Sequence, residues 1–292
     1  MEKIRYYVGI DGGGSGTRAV LAAANGVVLG GGAGGPSGLM HGAENAWASI
    51  MAALQQAFAA AGLALPSLDQ IAVGCGLAGA NNAPWAAAFR AQAPSFAELS
   101  LVSDALTTLY GAFQGAPGVI IALGTGSVGL ALCADGSRRE VGGWGFPSGD
   151  EASGAWLGLR ALSHAQQVAD GRRASDALAQ AVLEFCGGSR VSLMRWGVQA
   201  NQTAVAQLAP LVVQHAPAVP AAAQLMHTAG QEVAAMALAL DATQTMPIAL
   251  CGGLAAATQP YLPTSLLPRV IAPKADAAVG ALLMAQQRAL AD

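Results

Sequence analysis

Charge is scarce in this sequence. Asp, Glu, Lys and Arg make up 11% of its 292 residues, and the formal net charge is −3. No basic stripe gathers the few cations, which argues against a nucleic-acid partner. Cysteine is rare as well: Cys75, Cys133, Cys186 and Cys251 lie far apart, so there is no C-x-x-C zinc or redox motif. They read as reduced, buried thiols of a cytoplasmic protein. Neither H-x-x-x-H nor H-E-x-x-H occurs, which argues against a zinc site. His41, His164, His215 and His227 are scattered and suggest no Ser/His/Asp triad. The opening MEKIRYYVGID has no apolar core or cleavage site of a secretory signal. No charge falls between Asn45 and Leu68, but Gln55, Gln56 and Pro66 interrupt that stretch. Trp47, Ile50, Met51, Leu54 and Phe58 recur there at helical spacing, so an amphipathic helix is expected and no membrane span.

Two nucleotide fingerprints are also missing. No G-x-x-x-x-G-K-[ST] is present, which excludes a P-loop. Gly30, Gly32 and Gly35 fit G-x-G-x-x-G, but Pro36-Ser37-Gly38 follows where a dinucleotide site needs a helix start.

What the sequence does contain is a unit used twice. Tyr6 to Ile10 reads as a strand, Gly12–Gly16 as a loop, and Thr17 to Ala24 as a second strand. Asn25-Gly26 is a hairpin turn, and Val27 to Leu29 a third strand. The pattern returns with Val119–Leu123, Gly124-Thr125-Gly126, Ser127–Cys133, Asp135-Gly136 and a short strand near Arg139–Val141. Gly14 to Asn25 and Gly124 to Asp135 both span 11 positions. A repeated unit implies two similar domains facing each other. Further strands are expected at Ile71–Gly74, Leu99–Val102 and Ile248–Cys251. Helices are expected at 42–62, 82–93, 105–114, 151–169, 174–186, 201–215, 220–240 and 275–290. The class is therefore α/β. The stretch Gly115-Ala116-Pro117-Gly118 divides a domain of residues 1–116 from one of 117–292, with the last helix free to pack back on the first.

Loop one, Asp11-Gly12-Gly13-Gly14-Ser15-Gly16-Thr17, can turn successive N–H groups toward a phosphate. Ser15 and Thr17 add hydroxyls, and Asp11 beside a phosphate calls for a cation such as Mg²⁺. A plain glycine-rich turn is the other reading. Loop two, Gly124 to Ser127, gains weight from its matched topology. Gly252-Gly253 follows a strand and could pass close to a nucleoside, or could be a tight strand–helix turn. Asp104 ends a strand and opens a helix, where it is either a general base or an N-cap. Trp144 reads as a platform for a sugar ring or as core, and Asp150 as a sugar ligand or a helix cap.

Seven segments in order carry a family resemblance: GIDGGGSGTRAVLA, GCGLAG, VSDALTTLYGA, IALGTGSVG, GGWGFPSGDEASGAWLG, LCGGLA and PKADAAVGALLMA. The chain resembles, over residues 8–285, the N-acetylglucosamine and glucosamine kinases. These share a family with the activator ATPases of benzoyl-CoA reductase, within the actin, sugar-kinase and chaperone ATPase superfamily. The resemblance implies two ribonuclease-H-like (actin-like ATPase) domains with a nucleotide and sugar cleft between them. It implies ATP and Mg²⁺, an amino sugar as the small-molecule partner, a sugar 6-phosphate product and a homodimer. Gly12, Gly13, Gly14, Ser15, Thr17, Gly124, Thr125, Gly126 and Ser127 would hold phosphates, with Asp11 toward Mg²⁺ through water. Gly252 and Gly253 would lie at the adenosine, Asp104 would be the base, and Ser37, Trp144, Gly145 and Asp150 would line the sugar pocket. Gly38 stands where the resemblance expects a sugar-contacting Asn, which leaves the sugar open, with Ser37, His41 or water to compensate. An activator ATPase and a non-catalytic sugar-sensing module are the alternatives.

Overall fold

A computed structural model describes residues 4–289; residues 1–3 and 290–292, including the last position of the expected final helix, lie outside the described residues. The chain forms two compact units. One runs to Pro117 and takes back the chain from Pro273 onward, and the other is Gly118–Ala272. No helix among the described residues is long and apolar enough to cross a membrane.

The first unit carries β1 (Tyr6–Gly12), β2 (Thr17–Ala23), β3 (Val28–Gly34), β4 (Ile71–Leu77) and β5 (Glu98–Val102). The second carries β6 (Gly118–Leu123), β7 (Ser127–Leu132), β8 (Arg138–Gly142) and β9 (Ile248–Cys251). The sheet orders are β3-β2-β1-β4-β5 and β8-β7-β6-β9. In both, an antiparallel meander is followed by a strand parallel to its first member. This is the mixed α/β arrangement expected from the repeated unit, and the ribonuclease-H-like one that the resemblance implies. The second sheet keeps only a trace of a fifth strand, the single parallel bridge from Ile248 to Val270.

Helices α1 (Ala43–Ala60), α2 (Ala83–Ala91) and α3 (Asp104–Phe113) belong to the first unit. Those of the second are α4 (Gly154–Ala169), α5 (Ala177–Phe185), α6 (Arg190–Gln199), α7 (Gln202–Ala206), α8 (Ala209–His215), α9 (Pro220–Leu240) and α10 (Ala255–Thr258). The final helix, α11 (Ala277–Ala289), packs on β1, β4 and α3 of the first unit. The apolar spacing of α1 buries Trp47, Ile50, Leu54 and Phe58 against the sheet. Full burial of such side chains contributes ~1.5–3 kcal/mol each. Trp47 stacks on Phe89 with centroids 4.2 Å apart and donates its indole N–H to the Phe89 carbonyl at 2.9 Å.

Three departures from the sequence reading have local causes. The third strand runs to Gly34 because Gly30, Gly32 and Gly34 face α1, where any Cβ would run into the carbonyls of Ala57, Ala53 and Ser49. Gly30 and Gly32, two of the three glycines that mimic a dinucleotide fingerprint, are thus part of a strand–helix contact. The helix expected at 201–215 is two, α7 and α8, because Pro210 lacks the N–H that a continuous helix needs. Helix α6 was not expected. Its start rests on a capping box between Ser189 and Ser192, while its outward side chains Val191, Met194 and Val198 blur the apolar periodicity.

Candidate active site

In the first unit, β1, β4 and β5 run parallel and end level with one another. Asp11 pairs with Gly76, and Gly76 pairs with Val102. Loop one and Ser103-Asp104 therefore leave the sheet at its carboxyl ends, where open α/β sheets bind ligands. Ser103 caps α3, accepting the Leu106 N–H at 3.3 Å. Asp104 is the first helical residue and is not the cap; its Oδ1 accepts the Ala105 N–H at 2.9 Å. Burial pushes the Asp104 carboxyl above its usual range, the Ala105 N–H pulls it down, and the charge of Asp11 pushes it up again. Asp11 is itself raised by burial, against the Arg18 guanidinium at 3.2 Å. Arg18 also reaches Asp276 at 3.5 Å.

Loop one is closed by the Gly13 N–H, which donates to the Gly16 carbonyl at 3.1 Å. The Gly13 carbonyl accepts from the N–H groups of Ser37 (3.1 Å) and Gly38 (3.0 Å). The Thr17 hydroxyl donates to the Gly35 carbonyl at 2.6 Å and lies 2.7 Å from the Ser37 hydroxyl. Thr17 and Ser37 are both buried and bonded to each other, so they brace the loop from beneath. Gly14 and Ser15 form its exposed tip. At Gly38, a Cβ would press on the Met40 sulfur and on the Gly13–Gly14 backbone, so a side chain there needs Met40 to move.

In the second unit the Gly124 N–H donates to the Gly126 carbonyl at 2.9 Å. The Gly124 and Thr125 carbonyls accept from the first N–H groups of α4, at Gly154 (2.8 Å) and Ala155 (3.1 Å). Asp150 lies under this loop, buried and at a φ of +63°. It accepts from the Ser127 N–H (3.4 Å) and the Gln202 amide (2.7 Å). Burial still pushes its carboxyl up, against these donors. The Ser127 hydroxyl donates to the Glu151 carbonyl at 2.6 Å. Asp150 is not the cap of α4 either, since Ser153 takes that place, accepting from Trp156 N–H at 3.1 Å. Trp144 is 84% exposed and is no part of the core. Gly252, at a φ of +89°, is pressed against the end of β6, and Leu254 donates to the Leu123 carbonyl at 3.1 Å. Gly253 faces open space.

Each unit thus gathers its own set. The first holds Asp11, Gly12, Gly13, Gly14, Ser15, Thr17, Ser37 and Asp104; the second holds Gly124 to Ser127, Trp144, Gly145, Asp150, Gly252 and Gly253. Arg18 and Gln202 were not picked out in the sequence. Arg18 directly follows loop one, whereas Gln202 lies 52 positions from Asp150, so spacing gives no signal for it. A cavity of about 360 Å³, lined in part by Leu162, Asp170, Arg172, Arg190 and Met194, contains none of these site residues.

The sequence profile of the BadF/BadG/BcrA/BcrD ATPase family matches residues 8–285. A glucosamine kinase of Vibrio cholerae is 33% identical over 283 residues, covering 97% of this chain and 96% of its own. A solved structure from Chromobacterium violaceum, described as a candidate N-acetylglucosamine kinase, is 48% identical with a TM-score of 0.94, covering 97% of this chain and 99% of its own. A glucokinase of the ROK family from Streptomyces griseus, solved with glucose and AMPPNP, shares the fold alone. Its TM-score is 0.57 at 15% identity, covering 98% of this chain and 100% of its own.

Proposed function

The chain belongs to the BadF/BadG/BcrA/BcrD ATPase family, and on that footing we propose that it transfers the terminal phosphoryl group of ATP to the 6-hydroxyl of an amino sugar, N-acetylglucosamine or glucosamine. The observation that carries this reading is Asp104. It sits at the carboxyl end of the sheet, is relieved of capping by Ser103, and has a carboxyl made more basic by burial and by Asp11. Phosphoryl transfer asks little covalent chemistry of a protein beyond positioning and a group that accepts the hydroxyl proton. Asp104 is that group. The N–H groups at the tip of loop one and of loop two receive the phosphates. Thr17, Ser37 and Asp150 hold the loops rather than touching ligand, because their polar atoms are buried and already engaged. Exposed Trp144 offers a face to the sugar ring beside the Gly145 backbone, and Gly253 offers an unobstructed backbone to the adenosine.

Mg²⁺ is typically held by one or two carboxylates together with phosphate oxygens and water. The residues fit such a site: Asp11 is a part-exposed carboxylate at loop one. Among the described residues no group of three or more His, Cys, Asp or Glu could cage a metal. When bound, the ion neutralises charge on the phosphate oxygens. The activator alternative needs thiolates placed for an iron–sulfur cluster. Here Cys75 and Cys186 are buried, one in each unit, which favours the kinase. The test is product analysis. Phosphorus–proton NMR after incubation with ATP and each amino sugar should show phosphorus coupled to the C6 protons. Coupling at another carbon overturns the 6-hydroxyl, and phosphate released without any sugar phosphate overturns the kinase.

A further inference from the structure

Loop one carries no cation free to meet a phosphate. It lacks the lysine of a P-loop, and its neighbour Arg18 is committed to Asp11 and Asp276. A different cation or donor stands at its tip. The segment from Gly35 to His41 lies over loop one like a second layer. Thr17 bonds to the Gly35 carbonyl and meets the Ser37 hydroxyl, and the N–H groups of Ser37 and Gly38 both donate to the Gly13 carbonyl. Gly12 packs so closely on Ser37 that a Cβ there would strike its hydroxyl. The layer ends in a short 3₁₀ turn, Leu39–His41, in which the His41 N–H donates to the Gly38 carbonyl. The Asn45 amide donates to the His41 carbonyl at 2.8 Å and ties the turn to α1. The His41 backbone is therefore fixed relative to loop one. Its Nε2 lies 4.0 Å from where a Cβ on Gly14 would stand, and its ring has no hydrogen-bond partner among the described residues. The ring is exposed, so it can turn without breaking a contact.

We infer that His41 is a phosphate-binding residue of loop one, donating a ring N–H to the terminal phosphate of ATP. The inference rests on the kinase reading and adds to it the donor that the glycine loop does not itself supply. A ring donor at the loop tip acts on the group that ATP has and ADP lacks.

The probes are Mg²⁺ with the non-hydrolysable analogue adenylyl-imidodiphosphate, and Mg²⁺ with ADP. Each is titrated calorimetrically into the wild-type chain, His41→Ala and His41→Gln. The expected result is a loss of about tenfold in analogue affinity for His41→Ala, the worth of one charge-assisted hydrogen bond. ADP affinity should stay within about twofold, and His41→Gln, which keeps a donor, should recover part of the loss. Thermal melting of each variant checks that the exposed substitution leaves the fold intact. Equal loss for both nucleotides, or no loss for either, would overturn the inference and leave the kinase reading standing. Failure of the wild-type chain to bind either nucleotide would overturn both.

Discussion

The two units repeat one frame and brace it differently. Each makes a glycine loop the first turn of an antiparallel meander and then adds a strand parallel to the first. Under loop one lies a neutral hydroxyl pair, Thr17 and Ser37. Under loop two lies a buried carboxylate, Asp150, with the first turn of α4 donating to the loop carbonyls. Two carboxyls raised by burial, Asp11 and Asp104, stand at the carboxyl ends of strands in the first unit. The difference suggests a division of labour. Under the proposed function, the frame would position a phosphate loop in both units, and the proton chemistry would rest on side chains that only the first unit has.

The comparison breaks most sharply at the carboxylates. Asp104→Asn should lower kcat by about 10²–10⁴-fold with KM values little changed, as expected for removal of a general base. Asp150→Asn should instead act mainly through the KM for ATP. Steady-state kinetics on both variants checks this, and equal loss of kcat in the two would erase the division. Asp150→Ala leaves the Ser127 N–H and the Gln202 amide without their buried acceptor. A cost of about 3 kcal/mol in denaturant unfolding is expected, since charged-group hydrogen bonds are worth ~1.5–3 kcal/mol. The neutral brace should cost less: Thr17→Val is expected to lose about 1–2 kcal/mol by stranding the Gly35 carbonyl and the Ser37 hydroxyl.

The frame itself was legible because strand and turn signals are local. Alternation, Asn25-Gly26 and Asp135-Gly136 all act within a few residues, and the equal loop-to-turn spacing made the repeat visible. The braces were not legible in the same way. Thr17 and Ser37 are 20 positions apart, and Asp150 and Gln202 are 52 apart, so only packing brings them together. A polar residue near a loop looks the same in sequence whether it faces ligand or core, and burial of Thr17, Ser37 and Asp150 appears only in the folded chain. Ser103 takes the capping position of α3 and leaves Asp104 outside it, which no local pattern in the sequence distinguishes. The return of the chain at Pro273 to the first unit depends on close contacts of α11 with Gly9 and Gly74. A glycine inside a strand announces such an approach only after the helix is in place.

Two smaller effects sharpen the contrast. Gly76, at the end of β4, faces the Thr107 side chain, whereas Gly252, just beyond β9, faces the backbone of β6. Gly76→Ala should cost about 1–3 kcal/mol by overpacking. Thr107→Ala should restore part of it, while no side-chain change near Gly252→Ala should do so. Thermal melts of the single and double variants check the pair. Asp104→Asn also has a stability signature. The folded chain holds the Asp104 proton more tightly than the unfolded chain, whose value is near 3.8, so the ionised carboxyl costs stability at neutral pH. The Asn variant should therefore melt slightly above wild type at pH 7, and the advantage should vanish as the pH falls toward that value. A variant that melts lower at pH 7 would show that burial does not raise this carboxyl.

The central claim is tested most directly by sugar-stimulated ADP release from the purified chain with Mg²⁺ and ATP, measured against N-acetylglucosamine, glucosamine, glucose and N-acetylmuramic acid. The predicted result is strong stimulation by an amino sugar, lost in Asp104→Asn. Turnover that no sugar stimulates, or that Asp104→Asn leaves intact, would contradict it.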